Sequence, residues 1–170
     1  MNPQSWEKQL QDKRAGITSF GVTPFEEMKR RSGLEFLRDI AAGVLPQPPI
    51  GKTLNFYMMD FDEGSAVFLG APTFDSSNPI GTIHGGWAAT LLDSCMACAI
   101  HTTLRRGFGY ATVELKVNLV RPVTEQTGPV RAEGKVIHVG RRIGTSEGRL
   151  VGEDGKLYAH GTTTCMISEL

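Results

Sequence analysis

The alternation Ala111-Thr112-Val113-Glu114-Leu115-Lys116-Val117-Asn118-Leu119 puts an apolar residue at every second position, which predicts an antiparallel strand with one face buried. Residues 130–139, 143–151 and 157–167 repeat this pattern less cleanly. They are separated by a Gly140-Arg141-Arg142 bend and by Asp154-Gly155, read as a two-residue hairpin turn. Two earlier strands are expected at 53–59 and 65–69, around Asp62-Glu63-Gly64. Between the early pair and the later four the period changes. From Gly85 to about Arg105 nearly every position is Ala, Leu, Cys, Met, Ile or Thr, and neither Gly nor Pro follows Gly86. That suits a helix buried on most of its sides, closed by the cationic Arg105-Arg106 pair and stopped at Gly107.

Nearer the start, Thr23-Pro24-Phe25-Glu26 combines a hydroxyl cap, a proline at the first helical position and a reciprocal glutamate. Ser32-Gly33-Leu34-Glu35 repeats the capping pattern, so the segment is two short helices or one that breaks near Gly33, ended by Gly43 and Pro46. Residues 1–22 are polar without a sustained period and are expected to form a loosely packed arm, with a helical turn or two and little function. The chain therefore divides into an arm and helical extension over 1–50 and an α+β domain over 51–170. A helix apolar on most faces is not satisfied by one flat sheet, so the sheet has to curl around it.

Charge narrows the classes of partner. Lys plus Arg and Asp plus Glu both number 18 in 170 residues, so no global field draws the protein toward nucleic acid or an anionic membrane, and no basic stripe or helix-turn-helix segment appears. The first residues lack a basic cluster followed by an apolar core. The longest apolar stretch, Trp87 to Ile100, is interrupted by Asp93 and is shorter than the ~20 residues of a membrane helix. A cytoplasmic protein with no nucleic-acid or membrane partner is expected. Of the three cysteines, Cys95 and Cys98 lack the second pair that would complete a zinc shell; they read as small apolar fillers, and no metal site is expected.

Two features of the apolar helix call for chemistry. His84-Gly85-Gly86 opens it, and glycines at a helix start leave backbone N–H groups uncovered at the positive end of the dipole, where they can polarise a carbonyl or hold an oxyanion. Asp93 is the one charged residue between His84 and Arg105; a carboxylate on such a helix needs a partner or a job. Gly85 and Asp93 stand eight residues apart, roughly 12 Å of helix rise, too far for both to meet one carbonyl and its attacking water. Two such helices antiparallel across a two-fold axis bring the Gly85 end of one to Asp93 of the other, and an obligate dimer is expected. Plainer readings stay open: the glycines as packing positions, His84 as a hydrogen-bonded core histidine, Asp93 as an interface ion, Asn78 as turn chemistry in Ser77-Asn78-Pro79, and Thr112 as an ordinary strand residue.

Asn78, Gly81-Thr82, His84-Gly85-Gly86 and Asp93 together resemble the signature of the PaaI-type (phenylacetate-pathway) hotdog thioesterases. The similarity continues through Glu114–Pro122 and Gly161–Cys165, so it covers about residues 50 to 168. The resemblance implies the hotdog fold, a curved antiparallel sheet around a central helix. It implies hydrolysis of an acyl-CoA ester, with Asn78 and Gly85 polarising the thioester oxygen and His84 buttressing their loop. Asp93 of the facing subunit is then the base or nucleophile, and Thr112 orients the water. A homodimer, or a dimer of dimers, follows; coenzyme A is part of the substrate and no separate cofactor is implied. Gly86 and Trp87 are candidate substrate contacts, and Arg121, Arg141 and Arg142 candidate contacts to the phosphates. Two rival functions remain: a hotdog hydratase or dehydratase acting on acyl thioesters, and a non-catalytic acyl-CoA binding module.

Overall fold

The computed structural model describes residues 4–170. Six antiparallel strands, β1 (Phe56–Asp62), β2 (Ser65–Gly70), β3 (Phe108–Leu119), β4 (Val130–Val139), β5 (Ile143–Gly152) and β6 (Leu157–Glu169), form one sheet in the order β1-β2-β4-β5-β6-β3. Helix α5 (Gly85–His101) lies along the concave face and is buried on most sides, as its composition predicts. Leu91, Leu92, Cys95, Met96, Ala99 and Ile100 are inaccessible to solvent. This is the hotdog arrangement.

Close approach of helix to sheet depends on glycine. A Cβ at Gly134 of β4 would strike the carbonyl of Cys95, one at Gly148 of β5 would meet Met96 Cγ at 2.6 Å, and one at Gly144 would meet Ile100 Cγ2 at 2.7 Å. Ser146 Oγ adds a hydrogen bond of 2.8 Å to the carbonyl of Met96, satisfying a buried hydroxyl while fixing the helix in place.

The long alternation of β3 does not behave as one phase. Thr112 pairs with Cys165 and Glu114 with Thr164, so Val113 is an extra, bulged residue. Before the bulge the even positions Tyr110 and Thr112 turn toward α5; after it Val117 and Leu119 do. The expectation of one buried face is therefore corrected. In the single chain Val113 is 57 %, Leu115 39 % and Leu119 56 % exposed, because β3 is the sheet edge and its far side is bare.

The N-terminal part is more ordered than its polarity suggests. Ser5 caps α1 (Trp6–Ala15), and fully buried Leu10 packs on Tyr57 and Leu69, so residues 4–22 are not a loose arm, while residues 1–3 of that expected arm lie outside the described residues. Helix α2 (Phe25–Lys29) starts one residue later than expected: Pro24, extended at φ −56° and ψ 140°, is its N-cap, and Thr23 makes no cap. The Ser32/Glu35 capping box does form and opens α3 (Gly33–Ala41). Helix α4 (Pro49–Leu54) takes Thr53 and Leu54 from the expected strand 53–59, so β1 starts later, at Phe56; proline suits a helix start, and Asn55, left-handed at φ 54°, ends the helix before β1.

Two boundaries also differ. Helix α5 stops at His101, where Thr102 and Thr103 turn their hydroxyls onto the carbonyls of Ala99 and Ile100. The β5–β6 connection is a four-residue loop over 153–156, closed from Gly152, in which Gly155 has positive φ but Asp154 does not.

Candidate active site

The start of α5 is built as the glycines imply. His84 is the N-cap, and its Nδ1 accepts the Gly86 N–H at 2.9 Å while its carbonyl accepts the Trp87 N–H at 2.9 Å. The Gly85 N–H, an orphan donor of the first turn, has no acceptor among the described residues. The segment leading in is fixed on both sides, with the His84 N–H donating to Ser76 O and that of Ile83 to Val123 O. A Cβ at Gly85 would stand 2.5 Å from Leu119 Cδ1, so any larger residue has to displace the Leu119 side chain at the end of β3.

Asn78 organises this loop. Its Oδ1 accepts the N–H of Ile80 at 3.0 Å and of Thr82 at 3.3 Å, and its Nδ2 donates to Thr82 Oγ1 at 2.7 Å. The turn chemistry expected of Ser77-Asn78-Pro79 is present. Asn78 and Gly85 nevertheless line one pocket of about 280 Å³, with His84, Arg121 and Tyr158.

Asp93 lies elsewhere. It is half-buried on α5, and Thr112 Oγ1 donates to its Oδ1 at 3.0 Å. Both line a cavity of about 770 Å³ that runs between α5 and the N-terminal helices. Gly85 and Asp93 thus border different cavities in one chain, as their helical separation requires.

The other candidates are scattered. Gly86 is exposed beside His84. Trp87 is 3 % exposed, sits in the core and donates its indole N–H to Leu54 O at 2.8 Å; it lines neither cavity. Arg121 is exposed on the Gly85 pocket. Arg141 and Arg142 are exposed at the β4–β5 bend, next to the strand ends that carry Ile143 and Met166.

Sequence reasoning missed the far end of the Asp93 cavity. His101 is 5 % exposed between Phe36, 5.6 Å away centre to centre, and Tyr110, at 5.1 Å. Burial drives its pKa down to about 4, and burial likewise pushes the Cys98 thiol up to about 12 and the Tyr110 phenol well above its usual value. The spacing of Asp93, Ala97 and His101, four residues each, is a visible signal that they share a helix face. No local signal marked Met28 of α2 or Phe36 and Ile40 of α3 as sharing a cavity with α5, from which they are far apart in the chain.

Comparison with known proteins places this geometry. The Thioesterase superfamily model matches residues 80–159. A phenylacetic acid degradation-related protein from Ralstonia eutropha is 30 % identical, covering 80 % of this chain and 99 % of that one, with a TM-score of 0.69. A Streptococcus mutans protein crystallised with acetyl-CoA shares the fold at 23 % identity and a TM-score of 0.62, covering 68 % of this chain and 90 % of its own. A Halobacterium salinarum protein provisionally named an esterase is 35 % identical over 69 residues, 39 % of this chain, and the match spans 44 % of that relative. The chain belongs to the Thioesterase superfamily, and PaaI-like proteins are among its neighbours.

Proposed function

We propose that the protein is an acyl-CoA thioesterase whose two active sites are each shared between two copies of the chain. Asp93, with one oxygen held by Thr112 at the edge of an apolar cavity, is the observation that carries the reading: a carboxylate so placed has a free oxygen to take a proton from water or to attack a carbonyl. The uncovered Gly85 N–H of the facing subunit polarises the thioester oxygen, supported by His84 and by the spare N–H of Asn78. A thioester needs little more, since its thiolate is a good leaving group. Support for the shared site is the ~12 Å of helix between Gly85 and Asp93, which one chain does not bridge.

Coenzyme A enters as part of the substrate, with no resident cofactor. Its phosphates meet Arg121 at the Gly85 pocket, with Arg141 and Arg142 further candidates. We assign the reaction to the cytoplasm; among the described residues no helix is long and apolar enough to cross a membrane.

The test is release of free thiol from a panel of acyl-CoA esters by wild type and Asp93→Asn. Turnover is expected to fall by about 10² or more in the variant, with acyl-CoA binding and oligomeric state retained. Equal turnover by the two proteins refutes the mechanism.

A further inference from the structure

Residues 21–50 form one wall of the Asp93 cavity and α5 the other. Along α5 the lining runs from Asp93 past Ala97 to His101, eight residues or roughly 12 Å of helix. Opposite stand Met28, Phe36 and Ile40; Val22, Phe25 and Ile50, exposed by 86 %, 50 % and 47 %, give the cavity an apolar rim. A volume of about 770 Å³ far exceeds the needs of an acetyl group.

We propose that this chamber holds the acyl group, that the group is uncharged and of medium length, roughly eight to ten carbons at ~1.2 Å of advance per bond of an extended chain, and that residues 21–50 set this preference. The inference rests on reading Asp93 as the site of hydrolysis. Beyond Asp93 the ionisable groups on the lining are Cys98, His101 and Tyr110. All are neutral at pH 7, since burial lowers the pKa of His101 to about 4 and raises those of Cys98 and Tyr110. A terminal carboxylate or ammonium would find no counter-charge there and would lose its hydration. Each methylene of an alkyl or arylalkanoyl chain gains by leaving water, about fourfold in affinity.

The experiment measures kcat/KM of the full chain for acetyl-, butyryl-, octanoyl-, hexadecanoyl-, phenylacetyl- and succinyl-CoA. Expected are a rise of at least about tenfold from acetyl to octanoyl, a fall for hexadecanoyl, and succinyl below butyryl by about tenfold. Ala97→Leu narrows the chamber from the helix and Met28→Trp from the half-exposed opposite wall. Each is expected to lower the octanoyl-to-acetyl ratio by about tenfold. Hydrolysis with a flat or acetyl-favouring profile, or an unchanged ratio in both folded variants, overturns the proposal. Thiol release from none of the esters overturns hydrolysis instead. In that event octanoyl-CoA binding that Met28→Trp weakens sustains the chamber, and absence of such binding removes it.

Discussion

Thr112 and Asp93 come from different elements, and their hydrogen bond has a chemical consequence. The Thr112 hydroxyl donates to one carboxylate oxygen at 3.0 Å and leaves the other for the water of the mechanism we propose. Thr112→Val keeps the shape of the side chain and removes that donor. Its kcat is expected to fall about tenfold with KM little changed, while Thr112→Ser retains most activity; steady-state kinetics on any hydrolysed ester decides. His101 gives a second expectation. Its pKa is lowered on folding to about 4, so between pH 4 and 6.5 the unfolded chain binds the proton that the folded chain refuses. Stability from this group is complete above pH 6.5 and declines as pH falls toward 4. Urea denaturation should show a loss of about 2 kcal/mol from pH 7 to pH 5 that is absent in His101→Phe. Asp93 and Gly85 were legible because a lone acid and paired glycines stand out against apolar helix. The approach of Thr112 to Asp93 was not, because strict alternation puts it on the face away from Val117.

At the scale of elements, the bulge at Val113 is what reconciles the two. One inserted residue reverses the phase of β3, so Tyr110 and Thr112 serve the cavity while Val117 and Leu119 serve the core and the start of α5. A bulge leaves no mark in a hydrophobic pattern that runs unbroken across it. The capping box at Ser32, by contrast, was readable because both partners are local. So were β2 and β4–β6, but Thr53 and Leu54, the last residues of α4, were counted into the strand that follows because Leu54 and Phe56–Met59 are apolar on either reading. Seating of α5 on glycine yields a sharper expectation. Gly134→Ala drives a methyl into the backbone carbonyl of Cys95, which cannot rotate away as a side chain could. A loss of about 2–3 kcal/mol is expected by thermal or urea denaturation, whereas Gly155→Asn, at a left-handed turn position with open space, is expected to cost under about 1 kcal/mol.

Over the whole molecule, β3 is a twelve-residue edge with apolar side chains in solvent, a combination that monomers usually protect. Pairing of this edge with its copy across a two-fold axis would bring a second chain alongside, as the shared site we propose needs. Val113→Lys is expected to convert a dimer to monomer by light scattering and to remove thioesterase activity together with it. The sequence disclosed the wrapped helix, because that follows from the composition of one helix. It concealed the docking of α1 through α4, since that depends on contacts such as Leu10 with Tyr57 and Leu69 between segments far apart in the chain. The glycine seat beneath α5 has a last implication. A rod locked against the sheet by backbone contact offers a substrate no room to yield, so any breathing that admits a long tail has to occur in the opposite wall. Amide protons over residues 21–50 are therefore expected to exchange with deuterium well before those of α5, and to slow when a non-hydrolysable acyl-CoA is bound.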